Sequence, residues 1–108
     1  MKVKWSENAG KEFASLVAYV AHEFGNKVAL KLRDEIFSCV KRISEFPQLG
    51  MSSFVDEMTN VEFRELKAGL NSVVYSIYNN EIYVVSIWCN RQDRSKLYSS
   101  LRQMAIEM

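Results

Sequence analysis

Few side chains in this sequence could carry out covalent or proton-transfer chemistry. There is one histidine, His22, and there are two cysteines, Cys39 and Cys89. The sequence has no Gly-x-Ser-x-Gly motif, no Gly-rich phosphate loop, no His-x-x-x-His pair and no Cys-x-x-Cys pair. These counts exclude a disulfide framework and a Cys/His zinc site, so we expect neither a metal nor a cofactor.

These three side chains are predicted to have structural roles. His22 lies nine residues after Phe13, which places it opposite the apolar stripe of a helix and predicts an exposed position. Cys39 falls on the apolar stripe of a second helix and is predicted to be a small core residue. Cys89 follows the last predicted strand, near Arg91, a cation of the kind that activates a thiol. Because no histidine base lies nearby in the sequence, a structural Cys89 is favoured.

The distribution of charge is more informative than its total. The formal net charge is only +1, which excludes a strongly basic nucleic-acid-binding surface. Residues 51–66 carry one basic and four acidic side chains, whereas residues 89–108 carry four basic and two acidic ones. Arg91, Arg94 and Lys96 therefore form a candidate site for phosphate or an acidic partner, and the alternative is an ordinary solvated helix face.

Arg64 is predicted to lie within a strand, between Phe63 and Glu65. A charge in that position is costly unless it is paired or presented to a ligand. Its guanidinium could bind a phosphate bidentately, but an ion pair with Glu62 or another acid is favoured.

The tyrosines near these charges are predicted to be packing residues. They are Tyr75, Tyr78 and Tyr83, and we expect their hydroxyl groups to reach the rim of the core.

The elements that position these residues follow from the periodicity. Residues 1–5 alternate as a short strand, and Ser6 is a candidate N-cap for a first amphipathic helix. Gly25 is predicted to end that helix in a left-handed conformation, with Asn26 capping a second helix. The second helix stops at Phe46-Pro47, because the residue before proline disfavours helix. The two helices should form an antiparallel hairpin whose apolar stripe packs on a sheet.

After Gly50 the period changes to that of strands. Segments 61–66 and 72–78 partly alternate, Asn79-Asn80 suits a two-residue hairpin turn, and segment 82–88 has the composition of a strand buried on both faces. Asp93 can cap a final helix. The predicted fold is α+β: an N-terminal strand, a helical hairpin on an antiparallel sheet of three or four further strands, and a C-terminal helix.

The sequence predicts one soluble, cytoplasmic domain over residues 1–108. No apolar run approaches the roughly 20 residues that a membrane-spanning helix needs. The first residues turn polar where a signal peptide would be hydrophobic.

Five segments between residues 2 and about 97 are each weakly specific alone but informative in their joint order. They are Val3-Lys4-Trp5-Ser6-Glu7-Asn8-Ala9, Glu45-Phe46-Pro47-Gln48-Leu49-Gly50, Phe63-Arg64-Glu65-Leu66, Tyr75-Ser76-Ile77-Tyr78 and Ile87-Trp88-Cys89-Asn90-Arg91-Gln92-Asp93. In this order they resemble the RelE/ParE superfamily of type II toxin–antitoxin toxins, which includes plasmid stabilisation proteins.

The resemblance implies a toxin that arrests growth until a cognate antitoxin neutralises it. RelE-like members cleave messenger RNA on the ribosome without a metal, whereas ParE-like members share the fold and poison DNA gyrase without hydrolytic chemistry. Within the resemblance, Arg64 matches the sheet arginine and Arg91 the arginine after the last strand. Cys89 stands where the family often has histidine, and the lysine-rich stretch of RelE-like members is missing before Arg64.

A ParE-like toxin is therefore the favoured prediction. The alternatives are a RelE-like endonuclease and an inactive relic that binds only its antitoxin. Candidate catalytic residues are Arg64, Arg91 and Tyr98; an acid–base set of Glu62 or Glu65 with Tyr75 or Tyr98 also stays open. Candidate target- or phosphate-binding residues are Arg64, Arg91, Arg94 and Lys96. The expected partners are an antitoxin protein and either gyrase or the ribosome with its message, with no membrane. We expect an antitoxin tail to lay a short helix or strand on exposed apolar surface.

Overall fold

The computed structural model describes all 108 residues of the chain and contains five strands and three helices. The element order agrees with the sequence prediction, and β2 is the strand that periodicity had not delimited. The elements are β1 (Lys2–Trp5), α1 (Glu7–Phe24), α2 (Asn26–Glu45), β2 (Met51–Val55), β3 (Glu62–Ala68), β4 (Asn71–Tyr78), β5 (Glu81–Cys89) and α3 (Arg94–Glu107).

The strands form one mixed sheet in the order β1-β5-β4-β3-β2. The four strands from β2 to β5 pair antiparallel, as short connections allow, and Asn79 and Asn80 take the predicted positive φ in the β4–β5 turn. β1 pairs parallel to β5. The sequence predicted the antiparallel pairing of the later strands and left the pairing of the N-terminal strand open. A parallel pair needs a long connection between its strands, and residues 6–80 supply one here.

The helical hairpin packs on one face of the sheet. Ile36, Cys39 and Ile43 of α2 are buried there against apolar residues of β4 and β5, which makes this the larger of two hydrophobic cores. The second core lies on the opposite face, where α3 packs its Leu97 and Leu101 on the sheet. Because helices cover both faces, β4 and β5 are buried almost throughout, as their composition indicates.

The start of α1 closes the sheet edge where β1 ends. The Ser6 backbone N–H donates to Val84 O at 2.9 Å, and the Ser6 hydroxyl accepts from Ala9 N at 3.0 Å as the predicted N-cap. Further along α1, Glu12 faces β5, where burial raises the pKa of its carboxyl group against the opposing effect of hydrogen bonds with Ser86 and Ile87. Helix α1 thus takes the place of a strand beside the second half of β5.

The connection between the two helices differs from the prediction in one respect. Gly25 has the expected positive φ of 92°, which favours glycine. Asn26, however, is the first residue of α2 and not its cap, and no side chain caps that helix. The one-residue connection leaves no position for a side-chain cap.

No helix of the structure combines the length and the apolar character needed to cross a membrane.

Candidate functional site

Arg64 lies on the hairpin face of β3, at the turn that joins α2 to β2. Its Nη1 donates to Gly50 O at 2.6 Å and to Gln48 O at 3.3 Å, and its Nε donates to Glu62 Oε1 at 3.1 Å. The side chain is 19% exposed. The ion pair with Glu62 that the sequence favoured is therefore present, and two of the guanidinium nitrogens are engaged within the chain.

Tyr75 of β4 holds the same turn from within the core. Its side chain is completely buried, and its hydroxyl donates to Pro47 O at 2.7 Å and accepts from Gly50 N at 2.9 Å. The expectation that this hydroxyl reaches the rim was wrong, because the turn folds over it. Burial raises the pKa of the phenol above its usual value.

Glycine is required at position 50 by the same contact. A Cβ atom there would lie 2.7 Å from Tyr75 Oη and 2.9 Å from Glu65 O, closer than a real Cβ approaches such atoms. The Phe-Pro-x-x-Gly segment is thus explained by packing: proline ends the helix, and the glycine admits the tyrosine. Sequence periodicity gave no sign of this contact, which joins residues 25 positions apart.

A second polar cluster lies on the opposite face of the sheet, between α3 and the β2–β3 pair. Arg94 Nε donates to Tyr98 Oη at 3.1 Å, and the Arg94 guanidinium also pairs with Glu65, which accepts from the Ser53 hydroxyl. Phe54 stacks on the Tyr98 ring, with the centroids 5.5 Å apart. The hydrogen bond to Tyr98 and the charge of Glu65 raise the pKa of Arg94.

This cluster contains two of the predicted site residues, Arg94 and Tyr98, and two residues that sequence reasoning did not join to them. Ser53 lies in a strand that had not been delimited. Glu65 had been considered only as a possible acid or base. The signal that could have found the pair was the alternation of β3, which places Glu65 and Phe63 on the face opposite Arg64. The cluster ties α3 to the sheet.

The predicted phosphate-binding residues are not gathered in one place. Arg64 is paired in register with Tyr75, whereas Cys89 at the end of β5 is paired with Asn71, four residues away along β4. At the rise of a strand that separation is roughly 13 Å. Arg91 and Lys96 are exposed beyond the end of β5, and neither has a carboxylate within ion-pair distance.

The remaining candidate nucleophiles and bases lie apart from these clusters. The His22 side chain is 86% exposed, as predicted for the outer face of α1. Cys39 is buried, its Sγ lies 3.7 Å from Leu66 O, and burial raises the pKa of its thiol to about 11. Cys89 is half-buried. No group of three or more His, Cys, Asp and Glu side chains is placed to hold a metal ion.

An apolar groove of about 530 Å³ opens between the far end of the helical hairpin and the β3–β4 turn. Phe24 and Val28 line it and are 64% and 46% exposed. Both continue the apolar stripe that the hairpin was predicted to bury on the sheet, and that prediction was wrong at this end, where the stripe is exposed. We call this surface the hairpin groove. Its apolar residues are Leu16, Tyr19, Val20, Phe24, Val28, Leu32, Ala68 and Leu70. The charged side chains of its lining are Arg91, Lys31 and Glu35.

The sequence and the fold both match those of known proteins. A family model described as the ParE toxin of type II toxin–antitoxin system, parDE, matches residues 3–94. A solved structure described as the chromosomal ParDE TA system from P. aeruginosa has a similar fold, with a TM-score of 0.67 and 22% sequence identity. That match covers 82% of this chain and 95% of the other. No curated protein sequence matches the chain.

Proposed function

The chain belongs to the ParE toxin family of type II toxin–antitoxin systems, and from this premise we propose that it poisons DNA gyrase without hydrolytic chemistry of its own. A cognate antitoxin is its neutralising partner.

One observation carries the non-hydrolytic proposal: the candidate acid–base groups are engaged in bonds that hold the fold together. General acid–base catalysis needs a group with a suitable pKa within reach of the transferred proton. The Tyr75 hydroxyl has a donor and an acceptor in the α2–β2 turn, and burial moves its pKa away from neutrality. Arg94 is paired with Glu65, and its pKa is also raised. These shifts favour a structural role over proton transfer.

The hairpin groove suits the antitoxin. A helix with one apolar face buries that face in such a groove, and the exposed aromatic side chains Tyr19 and Phe24 are suitable anchors. Arg91 and Lys31 outnumber Glu35 in the lining of the groove, and this excess of one positive charge favours a partner helix that carries acidic residues on its flanks. This is the apolar surface that the hairpin leaves uncovered.

The target contact is proposed to involve Arg91 and Lys96, the cations beyond β5 that have no carboxylate partner. Arg64 and Arg94 lie apart from this pair, and each holds a neighbouring segment in place. Arg64 fixes the α2–β2 turn and Arg94 fixes the start of α3. Substitution of either would therefore change stability as well as target binding.

Purified gyrase tests the proposal directly. The chain should trap gyrase on supercoiled plasmid as a covalent cleavage complex, and Arg91→Ala should reduce the trapped fraction by about fivefold, the factor to which roughly 1 kcal/mol corresponds. Arg33→Ala is the matched control, because Arg33 is an exposed arginine on α2 that pairs only with its neighbour Asp34. Gyrase that turns over normally in an excess of the folded chain would contradict the proposal.

A further inference from the structure

A second open cavity, of about 640 Å³, runs along α2 beside the end of β3. It adjoins the hairpin groove, and the two surfaces have Lys31 and Glu35 in common. Neither Arg91 nor Lys96 lines it, so it is distinct from the proposed target contact. We call this surface the α2 cleft, and its charged residues are Lys27, Lys31, Asp34, Glu35, Arg42 and Lys67.

The basic side chains of the α2 cleft are exposed and unpaired. None of the four has a carboxylate within ion-pair distance. Asp34 pairs at 3.2 Å with Arg33, which is not part of the lining, so Glu35 is the only acid of the cleft without a cationic partner. The formal net charge of +1 for the whole chain conceals this local excess of positive charge, which attracts anions.

The spacing of the basic residues indicates an extended ligand. Lys27, Lys31 and Arg42 fall within about 60° of one another around α2, because 3.6 residues make one helical turn. Lys27 and Arg42 lie roughly 22 Å apart along the helix axis, at the rise of an α-helix. Lys67 lines the same cavity from β3. One phosphate ion cannot contact a row of that length, whereas a polyanion can.

The rest of the lining favours duplex DNA over other polyanions. Only three of the eleven residues that line the cleft are apolar, and none is aromatic. Protein partners bury an apolar centre with aromatic anchors, and single-stranded nucleic acids stack their bases on aromatic rings. Surfaces that bind duplex DNA are more polar and more positively charged. A row of roughly 22 Å can also reach the backbones on both sides of a major groove, which is roughly 12 Å wide.

We propose that the α2 cleft binds the sugar–phosphate backbone of duplex DNA. Lysine and arginine contacts with phosphate oxygens position a protein on DNA and carry no sequence information, so the binding is independent of sequence. It also weakens steeply as salt is added, because each neutralised phosphate releases counterions. The assignment concerns the chain alone and holds whichever target the toxin poisons.

Fluorescence anisotropy of a labelled DNA duplex of about 20 base pairs, titrated with the full-length chain, tests the proposal. The Kd should be on the order of 10–100 µM at about 150 mM salt. With four phosphate contacts, the logarithm of the association constant should fall with that of the salt concentration at a slope of about −3.6. One strand of the duplex and a polyglutamate of about 20 residues should compete several-fold less well than unlabelled duplex. Equal competition by either would overturn the proposal.

Two double variants provide the matched comparison. Lys27→Gln/Lys67→Gln removes two cations that line the α2 cleft and not the hairpin groove. Lys2→Gln/Lys11→Gln removes two exposed lysines of β1 and α1 and lowers the net charge of the chain equally. The first variant should bind the duplex at least about fivefold more weakly, with a salt slope smaller by about 2. The second should change the Kd by less than about twofold.

A third variant should change the affinity in the opposite direction. Glu35→Gln removes the free acid of the cleft and should tighten binding about two- to threefold, a gain that unfolding could not produce. Backbone amide shifts of the ¹⁵N-labelled chain should then place the duplex against residues 27–42 and 67–69. Shifts confined to residues 91–96, equal weakening by the two double variants, or an unchanged Kd for Glu35→Gln would each overturn the proposal.

Discussion

The hydroxyl group of Tyr75 holds the α2–β2 turn closed, and its removal should be costly although no packing is lost. Tyr75→Phe keeps the ring in the core and deletes one oxygen. Gly50 N, which is buried, then loses its acceptor, and Pro47 O loses its donor. The change therefore isolates two hydrogen bonds from the apolar burial that surrounds them.

The loss in the free energy of unfolding depends on whether water can hydrate each of the two unpaired groups. A buried polar group left without a partner costs about 1–3 kcal/mol. Gly50 is buried, so its unpaired N–H incurs this full cost. Pro47 is half-buried, and its carbonyl can be partly hydrated. We expect the free energy of unfolding to fall by about 2–3 kcal/mol. With an unfolding entropy of about 2.1 cal/mol/K per residue over 108 residues, Tm should fall by roughly 9–13 °C.

Urea unfolding followed by circular dichroism, with thermal scans of the same samples, measures both quantities. Tyr78→Phe is the control, because Tyr78 is 48% exposed and its hydroxyl makes no hydrogen bond within the chain. That variant should lie within about 0.5 kcal/mol of the parent. Equal stabilities of the two variants would refute the reasoning, since the turn would then not depend on the Tyr75 hydroxyl.

Three further expectations concern stability, pH and thiol reactivity. Ser6→Ala should lower the free energy of unfolding by about 1 kcal/mol in urea, because the N-cap bond to Ala9 N is lost; an unchanged midpoint would contradict it. Because the folded-state pKa of Tyr75 is raised above 10.0, the unfolded chain releases this proton first, so stability should decline as pH rises above about 10. The decline should be smaller in Tyr75→Phe, and identical pH profiles of the two proteins would count against it. At pH 8 only roughly a thousandth of a thiol with a pKa of about 11 is ionised, so peptide mass spectrometry should find Cys39 alkylated far more slowly than Cys89; equal rates would show that Cys39 is not buried.

The sequence predicted those features of the fold that depend on local signals. The Ser6 cap, the end of α2 before Pro47 and the Asn79-Asn80 turn are each determined by the conformational preferences of a few neighbouring residues. The apolar composition of β5 similarly indicated burial on both faces.

Features that depend on distant residues could not be read from those signals. The parallel pairing of β1 depends on the path of the chain around the hairpin, and the exposure of Phe24 depends on which part of the hairpin the sheet covers. Both positions have an ordinary local pattern. The buried hydroxyl of Tyr75 was missed for the same reason, since its partners lie 25 and 28 positions away.

The candidate site was predicted only in its components. The Arg64–Glu62 ion pair could be predicted from the sequence, because the two residues lie two positions apart on one face of a strand. The contacts of Arg94 with Glu65 and Ser53 could not be predicted from the sequence, because they depend on where α3 crosses the sheet. The predicted roles of Arg91 and Lys96 in target binding stay predictions.

Induction of the chain alone in bacteria tests the central claim most directly. Messenger RNA ends and gyrase-linked DNA breaks should be mapped from the same culture, with a strain carrying a toxin-resistant gyrase as the control. The account predicts gyrase-dependent breaks while messages stay intact. Messages cut within translated codons, with intact DNA, would contradict it and would assign the chain to the RNA-cleaving members of the superfamily.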